Sequence, residues 1–234
     1  AVMNYQFARA CLGFFVGDNL LQAEIARTGY HSIDKLDAQG FADEIQRLLN
    51  LYPRPVTEVQ FNLLGSHDTP RFRTLARGDD SAYKLATLFQ MTYPGAPSIY
   101  YGDEIGMEGP HDPGCRGAFP WDEACWNRDL RDHVRRCIAL RQAHPALRRG
   151  DFKWLFTAND VVAYGRRLAS QTLLVLLNVS RHPVTIAVPL AGYLEDGVRL
   201  GEVWGEQSVV VTRGTVEGIY LPARAGLVLQ ALAI

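Results

Sequence analysis

The 234 residues are 47% hydrophobic, 10% aromatic and 21% charged, the balance of a folded chain with its own core and not of a disordered or collagen-like one. Twenty-four basic against 25 acidic residues leave a net charge of -1, so the basic field that gathers nucleic acid or an anionic membrane surface is missing. No run of about 18 apolar residues offers a membrane span. Neutral or small ligands are the class these numbers favour.

The first part of the chain alternates strands and helices. Residues 1–5 read as a short apolar strand, and 7–15 carry helical spacing. Phe41, Ile45, Leu48 and Leu49 form an apolar stripe with Asp43, Glu44, Gln46 and Arg47 on the other side, a helix opened by Asp37 or by Gln39-Gly40 and closed by Pro53 and Pro55. A strand follows over 59–64, then a polar loop, a helix over 81–93 ending at Pro94-Gly95, and a strand over 98–101 ending at Gly102. After a long loop, residues 128–144 read as an amphipathic helix with Leu130, Val134, Ile138 and Leu140 inward, stopped by Pro145. Beyond it the period changes from helical to alternating: segments 161–166, 172–177, 185–188, 209–212 and 227–232 are separated by Gly, Asn, Asp and Pro, the pattern of an antiparallel β unit.

These patterns predict two domains, 1–146 of α/β class and 147–234 all-β. Three parallel βα units are too few for a closed barrel, which needs eight and about 250 residues, leaving an open sheet or part of a barrel. The chain opens on Ala1 without an initiator Met or a basic leader, and the expectation is that further elements precede it. Its four cysteines, Cys11, Cys115, Cys125 and Cys137, show neither a Cys-x-x-Cys pair nor a His at metal spacing. They read as free thiols of a reducing, cytoplasmic compartment rather than a zinc site.

The chemistry concentrates at Phe61-Asn62-Leu63-Leu64-Gly65-Ser66-His67-Asp68-Thr69-Pro70-Arg71. An apolar strand delivers a His, a carboxylate and an Arg to its C-terminal end, where α/β folds place their sites. A helix N-cap or a loop hydrogen bond is the plain alternative for such a pair. One βα unit later comes Gly95-Ala96-Pro97-Ser98-Ile99-Tyr100-Tyr101-Gly102-Asp103-Glu104-Ile105-Gly106-Met107, followed by Asp112-Pro113-Gly114-Cys115-Arg116 and Pro120-Trp121-Asp122.

In this order and spacing the segments resemble the α-amylase family of glycoside hydrolases, most closely its cyclomaltodextrinase, neopullulanase and maltogenic amylase branch. Val2-Met3-Asn4-Tyr5 is similar to that branch's sixth barrel strand, and the resemblance covers the whole chain. It implies the last three βα units of a (β/α)8 barrel followed by an antiparallel β-sandwich. It further implies that Asp68 is the carboxylate that stabilises the transition state, that His67 bonds a hydroxyl of the same sugar, and that Asp112 and Arg116 grip the next glucose. Hydrogen bonds to a ring hydroxyl that tighten as an oxocarbenium-like centre develops act on the transition state more than on the ground state. An Asp112–Arg116 salt bridge that only stiffens the loop is the other reading.

Arg71 is expected to orient a loop carboxylate beside the site. Asp103 and Glu104 are expected to be structural, Tyr100 and Tyr101 to pack the barrel and its lip, and Trp121-Asp122 to anchor their loop against the last helix. Glu202-Val203-Trp204 mimics an acid-bearing Glu-x-Trp but falls in the β domain. Retaining glycosidases also need a nucleophile and an acid/base. In this family the nucleophile stands in a Gly-x-Arg-x-Asp motif, and the nearest match here, Gly165-Arg166-Arg167-Leu168-Ala169, has no Asp.

The resemblance therefore implies the C-terminal part of a retaining α-glucan hydrolase of maltodextrins, cyclodextrins or pullulan, cleaving α-1,4 or α-1,6 bonds and inactive by itself. It implies an oligosaccharide partner, no nucleic acid, no membrane and no cofactor, with calcium conceivable only in a preceding part, and a homodimer conceivable for the intact enzyme. The alternatives are a transglycosylase or isomerase of the same family acting on sucrose, trehalose or maltose, and a non-catalytic carbohydrate-binding or interaction protein. Upstream sequence distinguishes the first, and binding without turnover the second.

Overall fold

The computed structural model describes residues 2–169 and 171–232. They divide into two compact units, one running to Met91 and resuming over Gly95–Gln142, the other comprising Thr92–Pro94 and the chain from Ala143.

In the first unit, β1 (Met3–Asn4) leads directly into α1 (Tyr5–Cys11), continued by a π-helical turn over Leu12–Val16. Asn4 makes this sharp junction possible. Its side chain accepts from the Phe7 amide at 3.1 Å as the N-cap and donates to Asn62 at 2.9 Å inside the sheet, so a buried amide is satisfied on both sides. Short α2 (Gln22–Ile25) precedes α3 (Ala38–Asn50), whose N-cap is Asp37, accepting from Gly40. Phe41, Ile45 and Leu48 of α3 are buried as its stripe requires, and Leu49 is half-buried. After α4 (Arg54–Thr57), β2 (Phe61–Leu63) lies between β1 and a later strand; α5 (Phe72–Leu75) and α6 (Asp80–Thr92) lead to that strand, β3 (Ala96–Ser98).

Pairing is parallel throughout, Asn4 opposite Asn62 and Asn62 opposite Pro97. Phe7, Phe15, Phe41 and Phe89 pack α1, α3 and α6 together, with Phe7 and Phe89 stacked at 5.6 Å. β3 starts and ends earlier than the periodicity over 98–101 predicts. Gly95 turns the chain at φ +108, where a Cβ would sit 2.4 Å from Asn62 Nδ2; past Ser98 the chain leaves the sheet, and Gly102 takes φ +86 at the N-cap of a 3-10 turn. A final helix, α7 (Arg128–Ala143), buries Leu130, Val134, Cys137 and Leu140. Cys137 takes the fully inward place, and Ile138 is only half-buried.

In the second unit, Pro145 both ends α7 and begins a short helix, α8 (Pro145–Arg149), as its first residue, a position that needs no N–H. β4 (Asp151–Ala158), β5 (Val161–Leu168), β6 (Gln171–Asn178), β7 (Val184–Pro189), β8 (Arg199–Glu202), β9 (Ser208–Val210), β10 (Thr215–Leu221) and β11 (Ala225–Ala231) follow. They form a sheet of order β4-β5-β6-β11-β8-β9 and a ribbon of β10 and β7, all antiparallel. The two share one core of Leu174, Leu176, Leu227 and Leu229 with Val188, Val216, Ile219 and Leu221, a β-sandwich. Gly165-Arg166, the nearest match to a nucleophile motif, is structural: a Cβ at Gly165 would strike Tyr193 Oη at 2.2 Å. Arg166 is fully buried, donating to the carbonyls of Thr92, Leu147, Gly150 and Asp151. Glu202 accepts from the Gln207 amide at 3.2 Å within β8's turn.

Candidate active site

The loop that leaves β2 carries the candidate residues at the C-terminal end of the parallel sheet. Ser66 organises its turn: its amide donates to Thr69 Oγ1 at 3.3 Å, and its Oγ accepts from the Asp68 amide at 3.1 Å. His67 and Asp68 are thereby turned outward with about half of each side chain exposed, 52% and 51%. His67 Nε2 lies 3.1 Å from Asp68 Oδ1. The other oxygen, Oδ2, accepts from Tyr5 Oη at 2.6 Å. Tyr5 itself lies edge-on to buried Tyr30 at 6.1 Å; burial, and next its bond to Asp68, push its hydroxyl pKa up.

The loop before α7 supplies the second half of the constellation. Arg116 Nε donates to Asp112 Oδ1 at 2.7 Å and to the His67 carbonyl at 3.1 Å, and Arg116 Nη2 lies 4.0 Å from Asp68 Oδ1. Buried Cys115 also reaches the His67 carbonyl, at 3.4 Å. The bond between Asp112 and Pro113 is cis. The neighbouring His111 is held by Glu24 at 3.0 Å through both its amide and its ring, which lowers the Glu24 pKa. His67, Asp68, Asp112 and Arg116 therefore share one exposed patch. The Asp112–Arg116 bridge is present, and the same guanidinium reaches the His67 loop, so it does more than stiffen its own turn.

Arg71 holds a loop carboxylate, and that carboxylate is Asp103. It turns inward, 0% exposed, onto Asp103 at 2.8 Å and the Tyr101 carbonyl at 2.7 Å, with Tyr100 and Tyr101 rings 4.7 and 4.9 Å from its guanidinium. The carboxylate that Arg71 orients is buried. The Arg71 amide donates to the Gly109 carbonyl at 3.0 Å, which ties the two loops together. Gly65 is needed here, because a Cβ would stand 2.6 Å from Asp103 Oδ2. Burial pushes the Asp103 carboxyl up to about 7, against the pull of Arg71.

Trp121 departs from expectation. It is 83% exposed, its ring edge-on to Phe119 at 4.9 Å; Trp126 takes the anchoring place, donating to the Pro120 carbonyl at 2.7 Å with Arg131 5.0 Å from its ring. Asp122 caps the following turn by accepting from the Ala124 amide. Tyr5 is the residue that sequence reasoning passed over. Its signal was its position directly after a strand end, but its partner is 63 residues away.

The catalytic-domain model of the α-amylase family matches residues 1–162, and the neopullulanase-like C-terminal domain model matches residues 152–228. The chain belongs to the α-amylase family. Its parallel βα units are part of that family's (β/α)8 catalytic barrel, and its sandwich is the neopullulanase-like domain. A cyclomaltodextrinase of Geobacillus thermopakistaniensis is 41% identical over 192 residues, 81% of this chain and 30% of that protein. One from a Bacillus species is 46% identical over 180 residues, 76% of this chain and 29% of its own. The crystal structure of Ttha1563 from Thermus thermophilus superposes with TM-score 0.93 at 36% identity, covering 99% of this chain and 48% of that one. The chain therefore spans under a third of the length of these two curated relatives. Among the described residues no group of three or more His, Cys, Asp or Glu could hold a metal ion, and no helix is long and apolar enough to cross a membrane.

Proposed function

We propose that this chain is the sugar-gripping, transition-state-stabilising part of a retaining α-glucan hydrolase that cleaves α-1,4 or α-1,6 bonds of maltodextrins, cyclodextrins or pullulan. The observation that carries the reading is Asp68: half-exposed at a strand's C-terminal end, one oxygen held by Tyr5, the other beside His67 and within 4.0 Å of Arg116. A carboxylate has lone pairs beyond those two contacts, so Asp68 can still accept from sugar hydroxyls. Its negative charge faces the cationic, oxocarbenium-like centre of glycoside cleavage. His67 bonds a hydroxyl of the same ring, and Asp112 and Arg116 grip the next glucose as a paired acceptor and donor. Arg71 and Asp103 lie beneath and support the loop without touching substrate.

Bond cleavage with retention needs two carboxyl groups about 5 to 5.5 Å apart, one nucleophile and one acid/base. The family motif for the nucleophile has no match with an Asp in these residues, so the chain is proposed to bind without cleaving. Its cysteine thiols support a reducing, cytoplasmic setting, and the chemistry assigned to its own residues asks for no cofactor.

The test is calorimetric titration of the purified chain with maltose and maltoheptaose, alongside a reducing-sugar assay on β-cyclodextrin. Removal of a charged hydrogen-bond partner costs about 1.5 to 3 kcal/mol, so R116A and D68N are each expected to weaken binding by roughly 10-fold to 100-fold. Unchanged affinity in both variants overturns the site; release of glucose or maltose by the chain alone overturns its inactivity. Coding sequence ahead of residue 1 is expected to supply a Gly-x-Arg-x-Asp motif and a catalytic Glu.

A further inference from the structure

We propose that Phe119 and Trp121 form an accessory binding platform for one more glucosyl unit of an α-glucan, outside the grip of Asp112 and Arg116. This rests on the α-glucan reading of the site and extends it. A tryptophan with 83% of its surface exposed leaves a large apolar face in water, and tryptophan is enriched at interfaces, where one end of the ring is apolar and the other wet. Its backing is built. Phe119 meets the Trp121 ring edge-on at 4.9 Å and the Trp126 ring at 5.8 Å, and Trp126 is fixed to the Pro120 carbonyl and Arg131.

The loop is pinned on both sides of the exposed ring. Tyr101 Oη donates to the Gly117 carbonyl at 2.8 Å, and Asp122 closes the turn that follows. Three aromatic rings in edge contact therefore hold one indole outward on a loop that is otherwise tied down, which lowers the ordering cost of binding.

The occupant is indicated by what adjoins the platform. Trp121 is five residues from Arg116, a span of at most about 17 Å, within reach of an oligosaccharide of several glucosyl units held there. Exposed Asp122 and Glu123 flank it. An exposed indole face suits a pyranose, whose axial C–H groups pack on the ring while its equatorial hydroxyls stay turned to water. A short ligand held at Asp68 and Arg116 would not reach that far, and a longer one would.

That chain-length dependence is the test. Titration of the 234-residue chain with maltose and with maltoheptaose is expected to show W121A weakened about tenfold for maltoheptaose, with maltose unchanged and W121F close to wild type. An unaltered unfolding midpoint in W121A would confirm that an exposed side chain was removed without damage. Equal losses for both sugars overturn the platform, because Trp121 would then prop the inner site. So does maltoheptaose binding that W121A leaves intact while R116A abolishes it, and in that case the inner site stands. Loss in W121A with R116A unaffected keeps the platform and removes the inner site. No maltoheptaose response from the wild-type chain, or a dimer that W121A dissociates without any sugar response, also overturns it.

Discussion

Asp103 and Arg71 form a buried ion pair beneath the exposed patch. Both side chains are buried, 3% and 0% exposed, and Asp103 Oδ2 with Arg71 Nε and Nη2 have no hydrogen-bond partner. Breaking a buried pair strands a charge, whereas replacing both partners by apolar groups is far less damaging. D103N is expected to cost about 3 to 5 kcal/mol in urea unfolding, and R71M with D103L together less than D103N alone; a double variant worse than the single would refute the pairing. Thiol reactivity is decided at the same scale. Cys11, Cys115 and Cys137 are buried, and burial pushes each thiol pKa up, Cys137 to about 12, so none forms the reactive thiolate. Ellman's reagent is expected to count one thiol, Cys125, in the native chain and four after denaturation.

The contact between α6 and α7 runs partly through His133, whose Nε2 lies 2.9 Å from the Lys84 carbonyl. Burial lowers its pKa from 6.5 to about 4. The unfolded chain therefore binds this proton more readily than the folded one, so the stability is full above pH 6.5 and is lost as pH falls towards 4. The two values correspond to about 3 kcal/mol. Urea unfolding at pH 7 and pH 4.5 is expected to show this loss, and H133Q to flatten it; an acid limb of the same depth in H133Q would place the effect elsewhere. Elements also show where sequence patterns carry weight. α3, α6 and α7 are long enough for their apolar stripes to be legible. β4, β8 and β10 were missed for physical reasons: a bulge between Trp154 and Phe156 breaks the alternation of β4, and β8 has only four residues. In β10, Gly218 takes φ +72 inside a register shift.

For the whole molecule, the parallel sheet matters most. Among the described residues β1 and β3 pair only with β2, so the outer edges of both strands present unpaired backbone groups. Such edges invite pairing with another chain. Concentration-dependent self-association is expected in light scattering, and a single monomeric species across micromolar to millimolar concentrations would argue that the edges are protected.

The sequence by itself determined the class of each unit and the family, because hydrophobic period is a local property and several short motifs agreed in order and spacing. It also placed His67 and Asp68 at a strand end, and Asp112 and Arg116 in the loop after the next βα unit. Tertiary structure decided what those residues touch. Tyr5 meets Asp68 across 63 positions, Arg71 turns inward to Asp103, and Trp126 takes the anchoring place that leaves Trp121 in water. Which partner a side chain finds, and whether it is buried, depends on loops folding back between distant strands, and no local period records that.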